Sequence, residues 1–165
     1  MSVLASRRSV SRFTVINDAT DLYNMLTDLA QRSFGVKDYR KMARNLSENC
    51  GTEEENIAKF CVFMNSATIR IEQYSSELMD NLRAAYTIWP TTMKEYNLRR
   101  EYQDKAIIDC EQLMGVLQRV ATKLNVDLNE YERYVKAIDR EIGKIKDWRQ
   151  RDNSIKSRLS NKGNV

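Results

Sequence analysis

Apolar residues return at spacings of four and three along most of this chain, and the longest such run predicts a helix from about Thr52 to Trp89. In it Ile57, Cys61, Met64, Thr68, Ile71, Ser75, Leu78, Leu82, Ala85 and Trp89 follow one another without a slip, a seam of the coiled-coil type. Thr52 with Glu55 three residues on forms a capping box, and Glu53 and Glu54 suit the positive end of a helix. Pro90 stops the run, because it has no N–H to donate and restricts the residue before it. An earlier helix is expected over Ser11 to Ser33. Phe13, Ile16, Ala19, Tyr23, Leu26 and Ala30 share one face, Leu22 and Leu29 lie beside them, and Phe34-Gly35 supplies a left-handed cap. Lys37 to Gly51 is polar and weakly periodic. It reads as a connector at about 36–51, in which Met42 and Leu46 define at most one short helical turn.

A third long helix begins at Thr92, again three residues before a glutamate, Glu95. Its seam is Ala106, Cys110, Leu113, Leu117, Val120 and Leu124, while Arg99, Arg100, Glu101, Gln103, Asp104 and Lys105 make its first turns polar. Asn125-Val126 closes it, and Asp127 or Asn129 opens a last helix with Tyr131, Val135, Ile138, Ile142, Ile145 and Trp148 on its buried face. Past Asp152-Asn153 the apolar spacing fades. The fold class expected is all-α: an antiparallel up-down four-helix bundle over 1–153 as one domain, with 154–165 as a basic flexible tail. One proline and five glycines in 165 residues agree with few tight turns. Gly115 and Gly143 fall inside predicted helices, as points of close backbone approach or as neutral exposed positions.

Charge changes the picture at the chain ends. Lys144 to Val165 carries seven Lys or Arg against Asp147 and Asp152, and the first twelve residues add Arg7, Arg8 and Arg12 with no acid. Residues 13–143 hold 17 basic and 21 acidic residues, so a slightly acidic body is flanked by basic ends in a chain of net charge +4. That layout suits a folded scaffold with extensions for a polyanion or acidic partner, and it equally serves solubility. There is no histidine, which removes Ser-His-Asp and Cys-His nucleophile systems and histidine-ligated metals. Cys50, Cys61 and Cys110 are widely spaced and read as reduced thiols, not as a disulfide frame. Met1 to Val10 has no apolar core of signal-peptide length, and no apolar run reaches the roughly 18 residues of a membrane span. A cytoplasmic protein with no cofactor is expected.

Candidate chemistry is sparse. Glu53, Glu54 and Glu55 point in different directions on a helix and are better explained by capping than by metal binding. Tyr86, Tyr96 and Tyr102 lie near Arg83, Arg99 and Arg100 across the Trp89-Pro90 break. They read either as a base-stacking and phosphate-holding group or as half-buried helix residues, with the arginines bonded to acids one turn away. Trp148 reads as a core plug that positions Lys144, Lys146, Arg149 and Arg151, solvated and available to phosphate.

Three stretches together resemble a known family. They are Arg8 to Asp38, ending in Phe34-Gly35-Val36-Lys37-Asp38; Ala84 to Leu113, through Ile88-Trp89-Pro90-Thr91, Arg99-Arg100-Glu101-Tyr102-Gln103 and Cys110-Glu111-Gln112-Leu113; and Tyr134 to Ile155, through Glu141-Ile142, Trp148-Arg149 and Asp152-Asn153. They are similar to the four-helix-bundle accessory variability proteins of diversity-generating retroelements, particularly those of gut bacteria and their phages. The chain departs from that family in its acidic body and at Asp147, Gln150 and Arg151. The resemblance implies a non-catalytic, pentameric partner of a reverse transcriptase. Such a protein binds the enzyme and the template-repeat RNA in mutagenic cDNA synthesis and retrohoming.

The residues expected to meet RNA or a partner are Arg7, Arg8, Arg12, Arg83, Arg99, Arg100, Lys105, Lys144, Lys146, Arg149, Arg151, Lys156 and Arg158, with no catalytic residue and no metal ligand. The alternative expectation is a self-assembling helical scaffold without a nucleic-acid role.

Overall fold

The computed structural model describes residues 12–45 and 51–162. Within them the chain is all-α, five helices packed together: α1 (Arg12–Gln31), α2 (Tyr39–Asn45), α3 (Glu53–Thr87), α4 (Met93–Leu124) and α5 (Glu132–Lys162). α3 packs on α1 and α4, α5 packs on α4 and α1, and α2 lies against α3.

Both capping boxes form. The Thr52 hydroxyl accepts from the Glu55 N–H at 3.3 Å while the Glu55 carboxylate accepts from the Thr52 N–H at 2.9 Å. Gly51 precedes this box at φ 123, where a Cβ would run into the Glu55 carboxylate. At α4 the Glu95 carboxylate gathers the Thr91 hydroxyl and the N–H groups of Thr91 and Thr92, at 2.7, 2.8 and 3.0 Å. Those donors, the Thr91 hydroxyl first, hold its pKa down to about 2. Asn125, left-handed at φ 50, closes α4 as expected.

The seam of α3 differs from the expected one in its first third. Asn56, Phe60, Met64, Ala67, Ile71, Ser75, Leu78, Leu82 and Ala85 are buried, whereas Cys61 is exposed and Ile57 and Thr68 are half-buried. Over two heptads a strict 3.5-residue seam drifts only about 40° around a helix of 3.6 residues per turn, less than the roughly 100° between successive residues, so drift alone does not move the stripe by a residue. Packing makes the choice. α2 forms inside the segment expected to be a connector, its Ala43 is buried, and the Tyr39 ring meets Phe60 at 5.9 Å. Trp89 lies beyond the helix end and is 70% exposed.

The expected seam of α4 is buried at every position, and that of α5 everywhere except half-buried Val135. α5 does not end at Asn153. It continues to Lys162, with Ile155 and Leu159 half-buried, so 154–162 is helix where a flexible tail was expected.

A Cβ added at Gly115 or Gly143 would meet nothing within 4 Å, so neither glycine serves a close approach among the described residues. Gly115→Ala and Gly143→Ala are each expected to stabilise the protein by about 1 kcal/mol. Thermal unfolding would register this as a rise of about 2–4 °C per substitution.

Candidate functional site

The start of α4 and the second half of α5 are joined by a network of polar side chains. Arg99, in the second turn of α4, is 1% exposed, and Asp152 is 4% exposed. The guanidinium meets the carboxylate through both edges, Nε 2.9 Å from Oδ2 and Nη2 donating to Oδ1 at 3.1 Å. Its remaining nitrogen, Nη1, donates to the Ile88 carbonyl at 3.3 Å and so ties down the α3–α4 link. Gln103, one turn further along α4, donates to Asp152 Oδ2 at 3.0 Å. One turn before Asp152 the Trp148 indole is buried, with the Arg99 guanidinium carbon 5.0 Å from its ring centroid. Stacking on an indole suits the planar, weakly hydrated guanidinium.

A second tier surrounds this centre. Arg149 pairs with Asp104 at 3.0 Å. Arg100 donates to the Tyr96 hydroxyl at 3.1 Å and to Asn153 Oδ1 at 3.3 Å, and Tyr96 donates to the same Asn153 oxygen at 3.2 Å. Arg99 and Arg100 are therefore bonded across helices to α5, not along α4 to acids one turn away. Tyr96 is buried within this tier and Tyr102 is half-buried, while Tyr86 is exposed at the end of α3.

Ten of the thirteen candidate cations have described side chains, some held in internal bonds and others exposed. Arg99, Arg100 and Arg149 come together, but in internal bonds. Lys144, expected to be solvated, is part-buried and ion-paired with Asp18 of α1. Lys105 is exposed, pairs with Glu101 at 2.8 Å and lies over the Tyr102 ring. Lys146, Arg151, Lys156 and Arg158 are exposed along α5, and Arg83 is exposed on α3. Arg12 is the first residue of α1, while Arg7 and Arg8 lie outside the described residues.

Asp152, Gln103, Asp104, Tyr96 and Asn153 were not among the expected site residues. The pattern held a signal for them. The seam of α4, continued backward from Ala106 by threes and fours, lands on Gln103, Arg99 and Tyr96, and that of α5 continues from Trp148 to Asp152. Opposite charges at seam positions of adjacent helices mark a buried pair.

The middle of the helices holds a second group of buried acids. Glu141 is buried, and its Oε1 has no hydrogen-bond partner among the described residues. Burial raises its pKa to about 8, the Asp18 carboxylate adds to the rise, and the Lys144 ammonium opposes it. On α4, burial pushes up the Cys110 thiol, with the Glu141 charge adding to it, while Cys61 is an exposed free thiol. Asp109 is raised by burial against the Asn81 amide that donates to it at 2.7 Å.

Among the described residues no group of three His, Cys, Asp or Glu side chains is placed to hold a metal ion, and no helix is long and apolar enough to cross a membrane. Fold and site together define an all-α protein whose helices are tied at one end by a buried arginine–aspartate network. No family model, curated protein or solved structure matches this chain.

Proposed function

We propose that this chain is the non-catalytic accessory subunit of a diversity-generating retroelement. In this role it binds the reverse transcriptase and the template-repeat RNA, supports mutagenic cDNA synthesis and retrohoming, and acts as a cytoplasmic homo-oligomer, pentameric by resemblance. The observation that carries the reading is the mutual bonding of the separated motifs. Arg99 and Gln103 of the Arg-Arg-Glu-Tyr-Gln stretch grip Asp152, 53 and 49 residues away, and Trp148 and Arg149 complete the contact. Two motifs that resemble a family pattern and then bond to one another are parts of a single packing device.

The finer architecture belongs to the same proposal: α1, α3, α4 and α5 as an antiparallel up-down four-helix bundle. It is supported by the order of the cross-helix bonds, in which numbers rise on one helix as they fall on the next. Asn81 meets Asp109 while Ile88 meets Arg99, and Arg99 meets Asp152 while Asp104 meets Arg149.

In this reading the phosphate-binding groups on α5 are the exposed Lys146, Arg151, Lys156 and Arg158, whereas half-buried Arg149 pairs with Asp104. Replacing Arg151, Lys156 and Arg158 together by alanine is expected to leave helical content unchanged. Binding of single-stranded template RNA should weaken, and the slope of log affinity against log salt should become shallower by about 2. An unchanged slope would remove these residues from the RNA contact.

A second reading, a self-assembling scaffold with no nucleic-acid role, is favoured by the outer face of α3. Ala58, Val62, Asn65, Ile69, Gln73 and Ser76 form an exposed, uncharged strip there, with Val62 71% and Ile69 54% exposed. Co-purification with the RNA transcribed beside the gene separates the two, since only the accessory subunit retains it.

A further inference from the structure

A cavity of about 410 Å³ opens where the chain leaves α1 and passes the start of α5. Leu29, Phe34, Val36, Tyr131 and Tyr134 line it and are all buried. Around the apolar floor stand Lys37, Arg133 and Arg32, the last paired with Asp28 at 3.8 Å, against one carboxylate in the lining, Glu130. That is a local excess of positive charge on a body that is net negative between residues 13 and 143. The volume lies within the roughly 300–1,000 Å³ usual for ligand pockets.

The backbone beside the cavity is strained. Ser33, Phe34 and Gly35 all sit in the left-handed region, at φ 51, 54 and 83, and two of them carry side chains. Such a conformation is costly for a residue with a side chain and persists where its surroundings over-determine it, often at a ligand clamp. Here the Tyr131 hydroxyl donates to the Phe34 carbonyl at 3.0 Å and the Val36 N–H donates to the Ser33 carbonyl at 3.0 Å. The Phe34-Gly35-Val36-Lys37 segment takes no part in the Arg99 network.

We propose that this cavity docks an acidic peptide segment of a protein partner, which inserts one apolar or aromatic side chain and sets its carboxylates against Lys37 and Arg133. The floor selects the anchor, because burying an apolar side chain there displaces water from apolar surface. The rim selects the charge of the flanking residues. A nucleobase fits less well. The Tyr131 hydroxyl already gives its proton to the Phe34 carbonyl, and the Tyr134 oxygen already accepts from Arg133, so each has only part of its hydrogen-bonding capacity left for a base edge. The Arg133 guanidinium carbon also lies 4.5 Å over the Tyr134 ring, in the place a base stacking on that face would take. The inference stands apart from the retroelement reading, since it requires only a protein partner.

Fluorescence anisotropy on the full chain tests it. The probe is a labelled peptide with one phenylalanine flanked on each side by two acidic residues. It is compared with the same peptide carrying serine for phenylalanine, with one carrying lysines for the acids, and with a single-stranded RNA of equal net charge. The acidic phenylalanine peptide is expected to bind at least about tenfold more tightly than either altered peptide. Lys37→Glu with Arg133→Glu should weaken it by at least about tenfold at unchanged helical content. Lys37→Glu alone, away from the Tyr134 stack, keeps the test valid if the double variant melts early. Equal binding of the serine peptide, or indifference to charge reversal, would overturn the proposal. So would RNA binding that the reversal abolishes while the acidic peptide fails to bind.

Discussion

Asp152→Ala is expected to cost about 3–5 kcal/mol of folding stability, because it leaves the Arg99 guanidinium buried without its counter-charge. Gln103 loses its acceptor in the same step, and the α3–α4 link remains tied to an arginine that no longer has a reason to stay inside. For a chain of this length the loss corresponds to a fall in Tm of about 10 °C. Arg151→Ala, one residue away and exposed, is the control and is expected to change stability by no more than about 0.5 kcal/mol. Combining Arg99→Met with Asp152→Leu should recover most of the loss. Replacing both charges by apolar groups of similar volume removes two desolvation penalties along with the attraction. Urea unfolding of the two single variants and the double variant decides the matter. A single-variant cost below about 1 kcal/mol would mean that the pair is solvated and the end of the protein loosely packed.

The second large effect is a dependence of stability on pH. Glu141 binds its proton more tightly in the folded protein, at a pKa of about 8, than an unfolded glutamate does at 4.5. Its contribution is therefore complete below about pH 4.5, declines as the pH rises, and is lost above about pH 8, a total on the order of 5 kcal/mol. The groups facing it are Asp18 from α1, Lys144 one turn along α5 and Cys110 from α4. Asp109, also raised by burial, adds a slope of the same sign. Glu141→Gln keeps the shape of the neutral acid and cannot ionise. It is expected to match the parent protein near pH 4.5, to be several kcal/mol more stable at pH 8, and to flatten the profile between them. Melting temperatures measured across that range in the two proteins check the prediction; parallel profiles would place the titration elsewhere.

The two predictions rest on features that differ in how far the chain's pattern announced them. Both capping boxes, the Asn125 cap, the seam of α4 and most of the face of α5 were legible because each depends on residues within one or two helical turns. The resemblance motifs were legible as strings, but their use was not. Arg99 and Arg149 read as cations for a partner because a charge is solvated unless something opposes it, and the opposing carboxylates lie 53 residues away for Arg99 and 45 residues away for Arg149. The stripe of α3 slipped in its first third for a related reason. Ile57 and Cys61 continue the 3.5-residue repeat, yet the face that is buried there is the one α2 covers, and α2 has too weak a pattern to declare itself.

By itself the sequence determined where α3 and α4 begin and where α4 ends, the apolar stripe along most of each long helix, and the concentration of positive charge at the two ends. Those properties come from local hydrogen bonding, spacing and composition. Only the tertiary structure decided which charges remain outside. Asp152 meets Arg99, Asp104 meets Arg149 and Asp18 meets Lys144 once α1, α4 and α5 lie side by side. A charge keeps its water or exchanges it for a counter-charge according to that neighbour, which may be named anywhere in the chain.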